Sequence, residues 1–232
     1  MTSKTPIKRK KYKLPKAILP IKCADKKFHE RWKPHRDPLN LPHPFRALFI
    51  GPPNCGKSCT LKNILIRAKP AFTKVIVVHC DPENTLEYDD LDDCELIGEI
   101  PEPQEFDGCE KTCLVLDDID LSGMSKQQKA CLDRVFGYVS THSNLSVCLT
   151  SQEAFRIPPI VRRCANYYCL WKIEDTDSLK MIGRKVGFKA DDFQHIFDKY
   201  LHDPKDSLHI DLTDHTPYHI RINGYTMLEK NN

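Results

Sequence analysis

The octapeptide at residues 51–58, GPPNCGKS, is the sequence feature that most constrains how this chain folds. It matches the pattern G-x-x-x-x-G-K-[ST], which is typical of a phosphate-binding P-loop. Residues 45–50 before it form an apolar run that predicts a short buried strand, and residues 59–68 after it predict a helix. This order of strand, loop and helix places backbone N–H groups and the positive end of the helix dipole where phosphate oxygens bind. The alternative is an ordinary glycine turn that happens to precede a lysine.

The side chains of the octapeptide predict a nucleotide bound together with Mg²⁺. In this motif Lys57 reaches the β- and γ-phosphates, and the hydroxyl group of Ser58 ligates the metal ion. Pro52 and Pro53 have no N–H group, so the later amides must form most of the phosphate cradle. Asn54 stands at a position that often requires a positive φ, which asparagine tolerates better than most residues. The predicted cofactors are ATP and Mg²⁺, and the predicted nucleotide-binding residues are Gly51, Asn54, Cys55, Gly56, Lys57, Ser58 and Cys59.

Charge separates the chain into a basic N-terminal arm and an acidic remainder. Residues 1–36 contain 13 lysines and arginines but two acidic residues, which leaves 22 basic and 30 acidic residues, a net charge of −8, in the rest. The arm is also punctuated by proline, so we predict an extended segment at residues 1–44 and a P-loop ATPase domain at residues 45–232. The cluster KRKKYK at residues 8–13 is suited to nuclear import or to nucleic-acid phosphates. A solvated tail without a dedicated partner is the alternative.

Composition and cysteine content indicate a protein of a reducing compartment. The chain has no run of about 18 apolar residues, and its N-terminus lacks the apolar core of a signal peptide. We therefore expect an intracellular protein with no membrane partner. The 11 cysteines are odd in number, and their spacings do not repeat as paired C-x-x-C units. We interpret them as reduced thiols that pack in the core, and the alternative is a zinc site built from cysteines and some of the ten histidines.

The rest of the chain alternates apolar runs with segments of helical spacing, which predicts an α/β fold. Residues 126–140, 179–186 and 191–201 are the predicted helices. Residues 208–211 and 218–222, separated by a turn region, predict a C-terminal β-hairpin. We expect a mostly parallel central sheet flanked by helices, with ligand-binding loops at the carboxyl ends of its strands. Further strands are predicted at residues 74–80, 95–100, 112–116, 146–150 and 166–171.

Two adjacent acidic residues follow the predicted strand at residues 112–116. An acid at the end of a buried strand is what a P-loop enzyme uses to hold Mg²⁺ directly or through water. We assign Asp117 to the metal ion and Asp118 to the attacking water. Asp120 is a weaker candidate two residues further along the loop. The alternative is that these acids merely close a strand in an acidic chain.

Polar and basic residues near the next two predicted strands complete the candidate site. Gln152 follows the strand that comes after the two acids, and its amide is suited to hold the attacking water or the γ-phosphate. The segment IPPIVRR at residues 157–163 leads into the last strand of the sheet, and we expect its arginines at an edge. Arg162 and Arg163, with Arg156 as a further candidate, are then placed to reach the γ-phosphate of a neighbouring subunit. The alternatives are a polar strand end and surface arginines in salt bridges.

Taken together, the motifs GPPNCGKS, LVLDDID, LTSQ and IPPIVRR, with the C-terminal hairpin, resemble those of the FtsK–HerA superfamily. The chain is most similar to the virion DNA-packaging ATPases of large DNA viruses, such as the poxvirus type, and of Maverick/Polinton elements. The resemblance covers about residues 45–225 and implies an ASCE, RecA-like P-loop NTPase fold. It assigns the sensor role to Gln152 and the arginine finger to Arg162 or Arg163. Two positions depart from the family pattern, because Asp118 replaces the usual glutamate of cellular members and Asn54 stands where glycine is common.

The resemblance implies a homo-oligomeric ring, a pentamer or a hexamer, that pumps double-stranded DNA into a preformed capsid. The implied partners are double-stranded DNA, further copies of this chain and capsid proteins. The implied location is inside a host cell, in the nucleus or a cytoplasmic virus factory, or in association with the virion. One alternative is a nucleotide or small-molecule kinase, although residues 122–140 contain only Arg134 and not the clustered arginines of a kinase lid. The other is a nucleotide-controlled switch or adaptor that does not translocate DNA.

Overall fold

The part of the chain that the structure describes contains nine strands, five longer helices and two short 3₁₀ helices at Pro103–Phe106 and Ala154–Arg156. In the computed structural model this part comprises residues 39, 41–214, 219–224 and 226–227. The basic cluster and most of the predicted N-terminal arm therefore lie outside the described residues. The strands are β1 (Arg46–Ile50), β2 (Lys74–Val78), β3 (Cys94–Ile97), β4 (Thr112–Leu116), β5 (Leu145–Ser151), β6 (Tyr167–Trp171), β7 (Ser207–Asp211), β8 (Ile220–Ile222) and β9 (Thr226–Met227). The helices are α1 (Lys57–Arg67), α2 (Lys126–Arg134, continued by a π-helical segment at Val135–Val139 and a last α-helical segment at Ser140–His142), α3 (Pro159–Cys164), α4 (Thr176–Lys185) and α5 (Ala190–Tyr200).

The described strands form one sheet in the order β3-β2-β4-β5-β1-β6-β7-β8-β9. The strands from β3 to β6 are parallel, whereas β7, β8 and β9 are joined by antiparallel pairing. The predicted mostly parallel sheet with a C-terminal hairpin is thereby confirmed. One detail of the prediction is wrong, because β6 is not the last strand of the sheet. Strand β7 pairs along its outer side, with Ile210 opposite Tyr168.

Helices cover both faces of the sheet because the central strands are apolar on both sides. Along β1, Leu48 and Ile50 face one core, whereas Phe49 faces the other. Helix α1 packs on the face of Phe49 through residues such as Leu61. The π-helical segment that follows α2, together with α3, α4 and α5, contributes to the core that contains Leu48. This layered arrangement leaves the carboxyl ends of the parallel strands open for ligand-binding loops.

The residues just before β1 pack against the domain. Leu41 and Phe45 are both buried in the core that contains α1. The ring of His43 donates from Nε2 to Asn144 Oδ1 (3.0 Å), and its Nδ1 accepts from the Ser146 hydroxyl (2.8 Å). Burial, with a smaller effect of a nearby lysine, lowers the pKa of His43 to about 4, so the ring is neutral at neutral pH. The boundary between an N-terminal arm and the ATPase domain stays a prediction.

Helix boundaries depend on capping groups that the apolar periodicity does not reveal. Helix α4 begins three residues earlier than predicted because the Asp175 carboxylate caps it. Its Oδ1 accepts the N–H of Asp177 (3.0 Å), and its Oδ2 accepts the N–H of Ser178 (3.2 Å). Helix α3 was not predicted, and it has Pro159 at its first position, where the missing N–H of proline carries no cost.

The described cysteines agree with the expectation of core packing only in part. The ten described cysteines are all free thiols, and five of them are buried. These five act as the predicted small core residues, whereas Cys59 and Cys80 are exposed.

Within the described residues, the helices are too short and too polar to cross a membrane.

Candidate active site

The predicted P-loop residues, the two acids and Gln152 gather at the carboxyl ends of three adjacent parallel strands. Strand β5 lies between β4 and β1, so the loops after these strands are neighbours. The P-loop follows β1, the two acids follow β4, and Gln152 follows β5. The N–H of Gly51 donates to Ser151 O (3.2 Å), which joins the start of the P-loop to the end of β5. The strand before Gln152 therefore pairs directly with the strand before the acids.

The P-loop has the backbone conformation of an anion-binding loop. Asn54 and Gly56 have positive φ angles of 60° and 106°, and the first agrees with the expectation for asparagine. Gly56 is the N-cap of α1, and its carbonyl accepts the N–H of Thr60 (2.9 Å). Because the helix begins two residues earlier than predicted, Lys57 and Ser58 belong to its first turn. The N–H groups of a first turn have no acceptor inside the helix and are available to a phosphate.

Close packing requires glycine at the start of the loop. A Cβ atom on Gly51 would lie 2.6 Å from the Cβ atom of Trp171 and 2.9 Å from the sulfur of Cys55. Cys55 is itself buried, and this burial raises the pKa of its thiol despite the opposing charge of Lys57. The Cys55 side chain therefore packs beneath the loop as a neutral group. We expect the contribution of Cys55 to phosphate binding to come from its backbone N–H. Cys59 is exposed in the first turn of α1.

Two lysine side chains bind carbonyl groups of the P-loop. The Nζ atom of Lys57 donates to the carbonyl oxygens of Gly51 (2.9 Å) and Pro52 (2.8 Å). The Nζ atom of Lys205, in the loop between α5 and β7, donates to Asn54 O (2.6 Å). Sequence reasoning missed Lys205, which is 151 residues from Asn54 and lies in no recognisable motif. An ammonium group bonds more strongly to an anionic phosphate oxygen than to a neutral carbonyl, so both lysines are placed to turn towards a phosphate in the loop.

Asp117 is buried, and both of its carboxylate oxygens accept hydrogen bonds. Its Oδ1 accepts from the hydroxyl of Thr150 (2.6 Å), and its Oδ2 accepts from the hydroxyl of Tyr88 (2.5 Å). Burial, followed by the charge of Asp117, raises the pKa of Tyr88 far above its usual range, so the phenol remains a donor. A carboxylate has about four lone-pair sites, so Asp117 retains acceptor capacity for a water ligand of Mg²⁺. Tyr88 lies in the acidic segment after β2, and sequence reasoning missed it.

Asp118 has the opposite environment, because its side chain is exposed at the mouth of the site. Its backbone lies in the left-handed region, with φ 50°, and its N–H donates to Thr150 Oγ1 (3.1 Å). The Thr150 hydroxyl therefore donates to one acid and accepts from the other, which ties β5 to both. An exposed, positioned carboxylate has the access to solvent that a general base needs. The weaker candidate, Asp120, instead accepts the N–H of Ser122 (3.0 Å) and stabilises its own loop.

Gln152 lies in the wall of a cavity of about 470 Å³ beside the P-loop. Its side chain is exposed, and the facing wall is formed by the segment after β6 and by the loop before β7. The volume falls in the range of sites that take small molecules and cofactors. The lining residues are Pro52, Pro53, Asn54, Cys55, Gln152, Lys172, Ile173, Glu174, Asp175, His202 and Pro204.

The positions of the two arginines differ from the prediction. Arg162 and Arg163 lie on helix α3, not at an edge of the sheet. The helix is held on the face opposite α1 by the buried side chain of Val161. The physical reason is that β5 and β6 run parallel on either side of β1, so the segment that joins them has to cross a face of the sheet.

The arginines have different partners within the chain. The guanidinium of Arg162 lies 5.7 Å from the centre of the Phe155 ring and contacts the sulfur of Met181. Arg163 is exposed on the same helix. Arg156 forms an exposed ion pair with the glutamate three residues before it (3.0 Å). Arg162 and Arg156 are therefore held by contacts within their own chain, whereas Arg163 is exposed with its charge close enough to act on the Asp133 carboxyl.

Comparison with solved structures identifies the fold as that of the ASCE P-loop NTPases. The genome packaging NTPase B204 from Sulfolobus turreted icosahedral virus 2, in complex with sulfate, is 18% identical, with a TM-score of 0.55 over 80% of this chain and 98% of that chain. That protein has also been solved with ATPγS. The DNA-packaging ATPase B204 from Sulfolobus turreted icosahedral virus is 13% identical, with a TM-score of 0.56 over 82% and 99%. The pCW3 conjugation coupling protein TcpA, with ATPγS, is 16% identical, with a TM-score of 0.51 over 74% and 58%.

These comparisons establish similarity at the level of the fold. The structural neighbours include a viral genome packaging NTPase, a viral DNA-packaging ATPase and a conjugation coupling protein. No family model matches the chain, and no curated protein matches it by sequence. A closer relation to the poxvirus type or to Maverick/Polinton elements is therefore part of the proposal below.

Proposed function

We propose that this protein is an ATP-hydrolysing translocase of double-stranded DNA that packages a viral or virus-like genome into a capsid, as the poxvirus-type and Maverick/Polinton ATPases do. The observation that carries the proposal is the arrangement of side chains at the carboxyl ends of the central strands. The P-loop, the acids Asp117 and Asp118, and Gln152 follow three adjacent strands, with β5 between the P-loop strand and the acid-bearing strand. This arrangement supplies a phosphate cradle, a metal-supporting acid, a water-activating acid and a polar sensor in one place.

Each side chain has a distinct task in this proposal. Lys57 and Lys205 leave their carbonyl partners and bind the phosphates. The N–H groups of the first turn of α1 donate hydrogen bonds to the phosphate oxygens. Mg²⁺, when bound, neutralises phosphate charge, and Ser58 with Asp117 would hold it, the latter through water. Asp118 accepts a proton from the attacking water, which the amide of Gln152 helps to orient. The two hydrogen bonds to Asp117 hold the turn after β4 in place while nucleotide binds and dissociates.

An arginine from a neighbouring subunit completes the proposed site. Arg163 is the preferred finger because its side chain is exposed, whereas Arg162 is held by Phe155 and Met181 of its own subunit. A guanidinium that reaches the γ-phosphate in trans stabilises the charge of the transferring group. Such a shared site requires a ring of identical subunits, a pentamer or a hexamer. The basic arm at residues 1–44 would then add electrostatic attraction for DNA, with capsid proteins as further partners.

The test is steady-state ATPase activity of the full chain with and without long double-stranded DNA at low salt. Strong stimulation by DNA that is lost in Lys57→Ala supports the translocase. ATPase activity that does not change with DNA contradicts the translocase for the isolated protein and favours a kinase. ATP binding without turnover favours a switch or adaptor.

Mixing of variants tests whether the site is shared. Arg163→Ala and Asp118→Asn should each bind ATP and lose turnover. Mixed rings place an intact arginine against an intact Asp118 at some interfaces, so partial activity should return. The absence of rescue at every mixing ratio would contradict an arginine finger in trans, and Arg162→Ala in the same mixture tests the neighbouring arginine.

A further inference from the structure

Three side chains with metal-binding atoms meet beside the proposed active site. One ring nitrogen of His79, the thiol sulfur of Cys80 and a carboxylate oxygen of Asp118 lie within 4.8 Å of one another. The strands β2 and β4 are parallel neighbours, with Val78 opposite Leu116, so the residues that follow their ends lie side by side. His79 and Cys80 follow β2 directly, and Asp118 is the second residue after β4. The proposed roles of the P-loop site do not use His79 or Cys80.

The backbone around this cluster is fixed on both strands. The N–H of His79 donates to Ile97 O (3.0 Å), and the N–H of Asp117 donates to Val78 O (3.0 Å). The N–H of Asp118 is held by the Thr150 hydroxyl (3.1 Å). Two of the three donor residues, His79 and Asp118, therefore start from anchored positions, which lowers the cost of bringing the donors around an ion.

The donor set has the chemistry of a zinc site. Imidazole, thiolate and carboxylate are the three protein ligands that Zn²⁺ uses, whereas Mg²⁺ prefers oxygen ligands. A tetrahedral ion with bonds of about 2.0–2.3 Å needs ligand atoms roughly 3.3–3.8 Å apart. The exposed side chains of Cys80 and Asp118 can close the remaining distance by rotation about their side-chain bonds. Three protein ligands leave the fourth position of the ion for water.

Local hydrogen bonds orient the ring of His79. Its Nδ1 accepts the backbone N–H of Asp81 (3.0 Å), and the Thr85 hydroxyl, which donates to Asp81 O (2.6 Å), lies 2.7 Å from the same nitrogen. Binding of an ion at Nε2 requires the other tautomer, in which Nδ1–H donates to the Thr85 hydroxyl and the bond from Asp81 is given up. Metal-bound histidines commonly donate their second ring N–H in this way, which orients the ring.

An open cavity gives an ion access to the cluster. A cavity of about 240 Å³ lies between the ends of β2 and β3 and the loop after β4, and Cys80 is part of its wall. Its wall also carries the polar groups of Glu99, Asp120 and Gln128. A hydrated cation can therefore reach the thiol from solvent without movement of the sheet.

We propose that His79, Cys80 and Asp118 bind Zn²⁺ and that the bound ion switches off ATP hydrolysis. Binding replaces the proton of the Cys80 thiol by the metal and releases that proton to solvent, with no change of oxidation state. The regulatory part rests on the proposed function, because it depends on Asp118 as the acid that activates water. With its carboxylate coordinated to zinc, Asp118 no longer accepts a proton from that water. Turnover stops while the P-loop still binds ATP.

The binding part is tested with Co²⁺ and Zn²⁺ on the full chain in a phosphine reductant. Co²⁺ should give one equivalent of tetrahedral visible bands with a thiolate-to-cobalt band in the near ultraviolet, and Zn²⁺ should displace it. Cys80→Ser should abolish the thiolate band, and His79→Gln should weaken Zn²⁺ binding at least tenfold. Cys109→Ser and His195→Gln are the matched controls and should leave binding unchanged. Equal binding in Cys80→Ser, or no binding in the unaltered chain, overturns the site.

The regulatory part is tested by ATPase activity with buffered free Zn²⁺ at excess Mg²⁺. We expect inhibition of the unaltered chain and of Cys109→Ser, with at least tenfold more Zn²⁺ required for Cys80→Ser. Inhibition that is the same in Cys80→Ser overturns the assignment, and metal binding without inhibition overturns the switch. If the unaltered chain shows no ATPase activity, the proposed function fails while the cobalt spectra still decide the zinc site.

Discussion

Replacing Thr150 by valine removes one hydroxyl group that holds both acidic residues after β4. The hydroxyl donates to Asp117 Oδ1 (2.6 Å) and accepts the N–H of Asp118 (3.1 Å). Valine has nearly the same shape, so the change removes hydrogen bonds and leaves the packing of β5 in place. Thr150 is buried, with 4% exposure, so water does not readily replace the lost group beside the Asp117 carboxylate.

The magnitude follows from the charge of the acceptor. A hydrogen bond to a charged group contributes about 1.5–3 kcal/mol, and a neutral one about 0.5–1.5 kcal/mol. Thr150→Val loses a bond to a buried carboxylate and also leaves a backbone N–H without its acceptor. We expect the free energy of unfolding to fall by about 2–4 kcal/mol. Thr112 offers a matched control, because it is equally buried but donates to the backbone carbonyl of Glu110 (3.2 Å).

Urea denaturation at neutral pH, followed by circular dichroism, measures the difference. Thr112→Val should lower the free energy of unfolding by about 0.5–1.5 kcal/mol. Thr150→Ser keeps the hydroxyl and should recover most of the loss. If Thr150→Val is no more destabilising than Thr112→Val, the hydroxyl does not stabilise a buried charge and the reasoning is refuted. If the reasoning holds, Thr150→Val should also reduce ATP turnover, because both acids lose their anchor to β5.

Three further predictions concern the P-loop and the buried histidines. Gly51→Ala forces a methyl group into the side chains beneath the loop and should weaken binding of a fluorescent ATP analogue by at least about tenfold. Lys205→Ala should weaken that binding by about three- to tenfold, whereas Lys189→Ala should not, and equal effects would remove Lys205 from the site. Burial lowers the pKa of His43 to about 4 and of His209 to about 3, so the unfolded chain binds more protons below about pH 6.5. Chemical denaturation should therefore show stability falling as pH falls from about 6.5 to 4, by up to about 1.4 kcal/mol per pH unit for each histidine, and a flat profile would contradict this.

The elements that sequence analysis predicted well are those with strong local signals. Strand β4 was predicted with its observed bounds because its apolar run ends abruptly at two acids. The P-loop conformation follows from residues that tolerate positive φ, Asn54 and Gly56, next to a lysine and a serine. A positive φ costs little for glycine and asparagine, so these positions can be read without knowledge of the fold.

The elements that sequence analysis missed depend on partners distant in the chain. Helix α3 is short, and its apolar contact with the sheet exists because the connection between the parallel strands β5 and β6 crosses that face. The two-residue strand β9 is an exception, because the local pair Asn223-Gly224, both with positive φ in the turn after β8, is typical of a hairpin. Tyr88 and Lys205 belong to no recognisable motif. They reach the site because loops from separate parts of the chain meet at the carboxyl ends of the central strands.

The sequence by itself determined the phosphate-binding loop, the acids and the α/β class, because these depend on residue chemistry and on spacing within a few residues. Tertiary structure alone decided the environments of the two acids, with Asp117 buried under two hydroxyls and Asp118 exposed beside His79 and Cys80. It also decided that the arginines lie on a helix rather than at a sheet edge. The physical reason is that burial, charge proximity and hydrogen bonding depend on strand order, and strand order is set by contacts between distant segments of the chain.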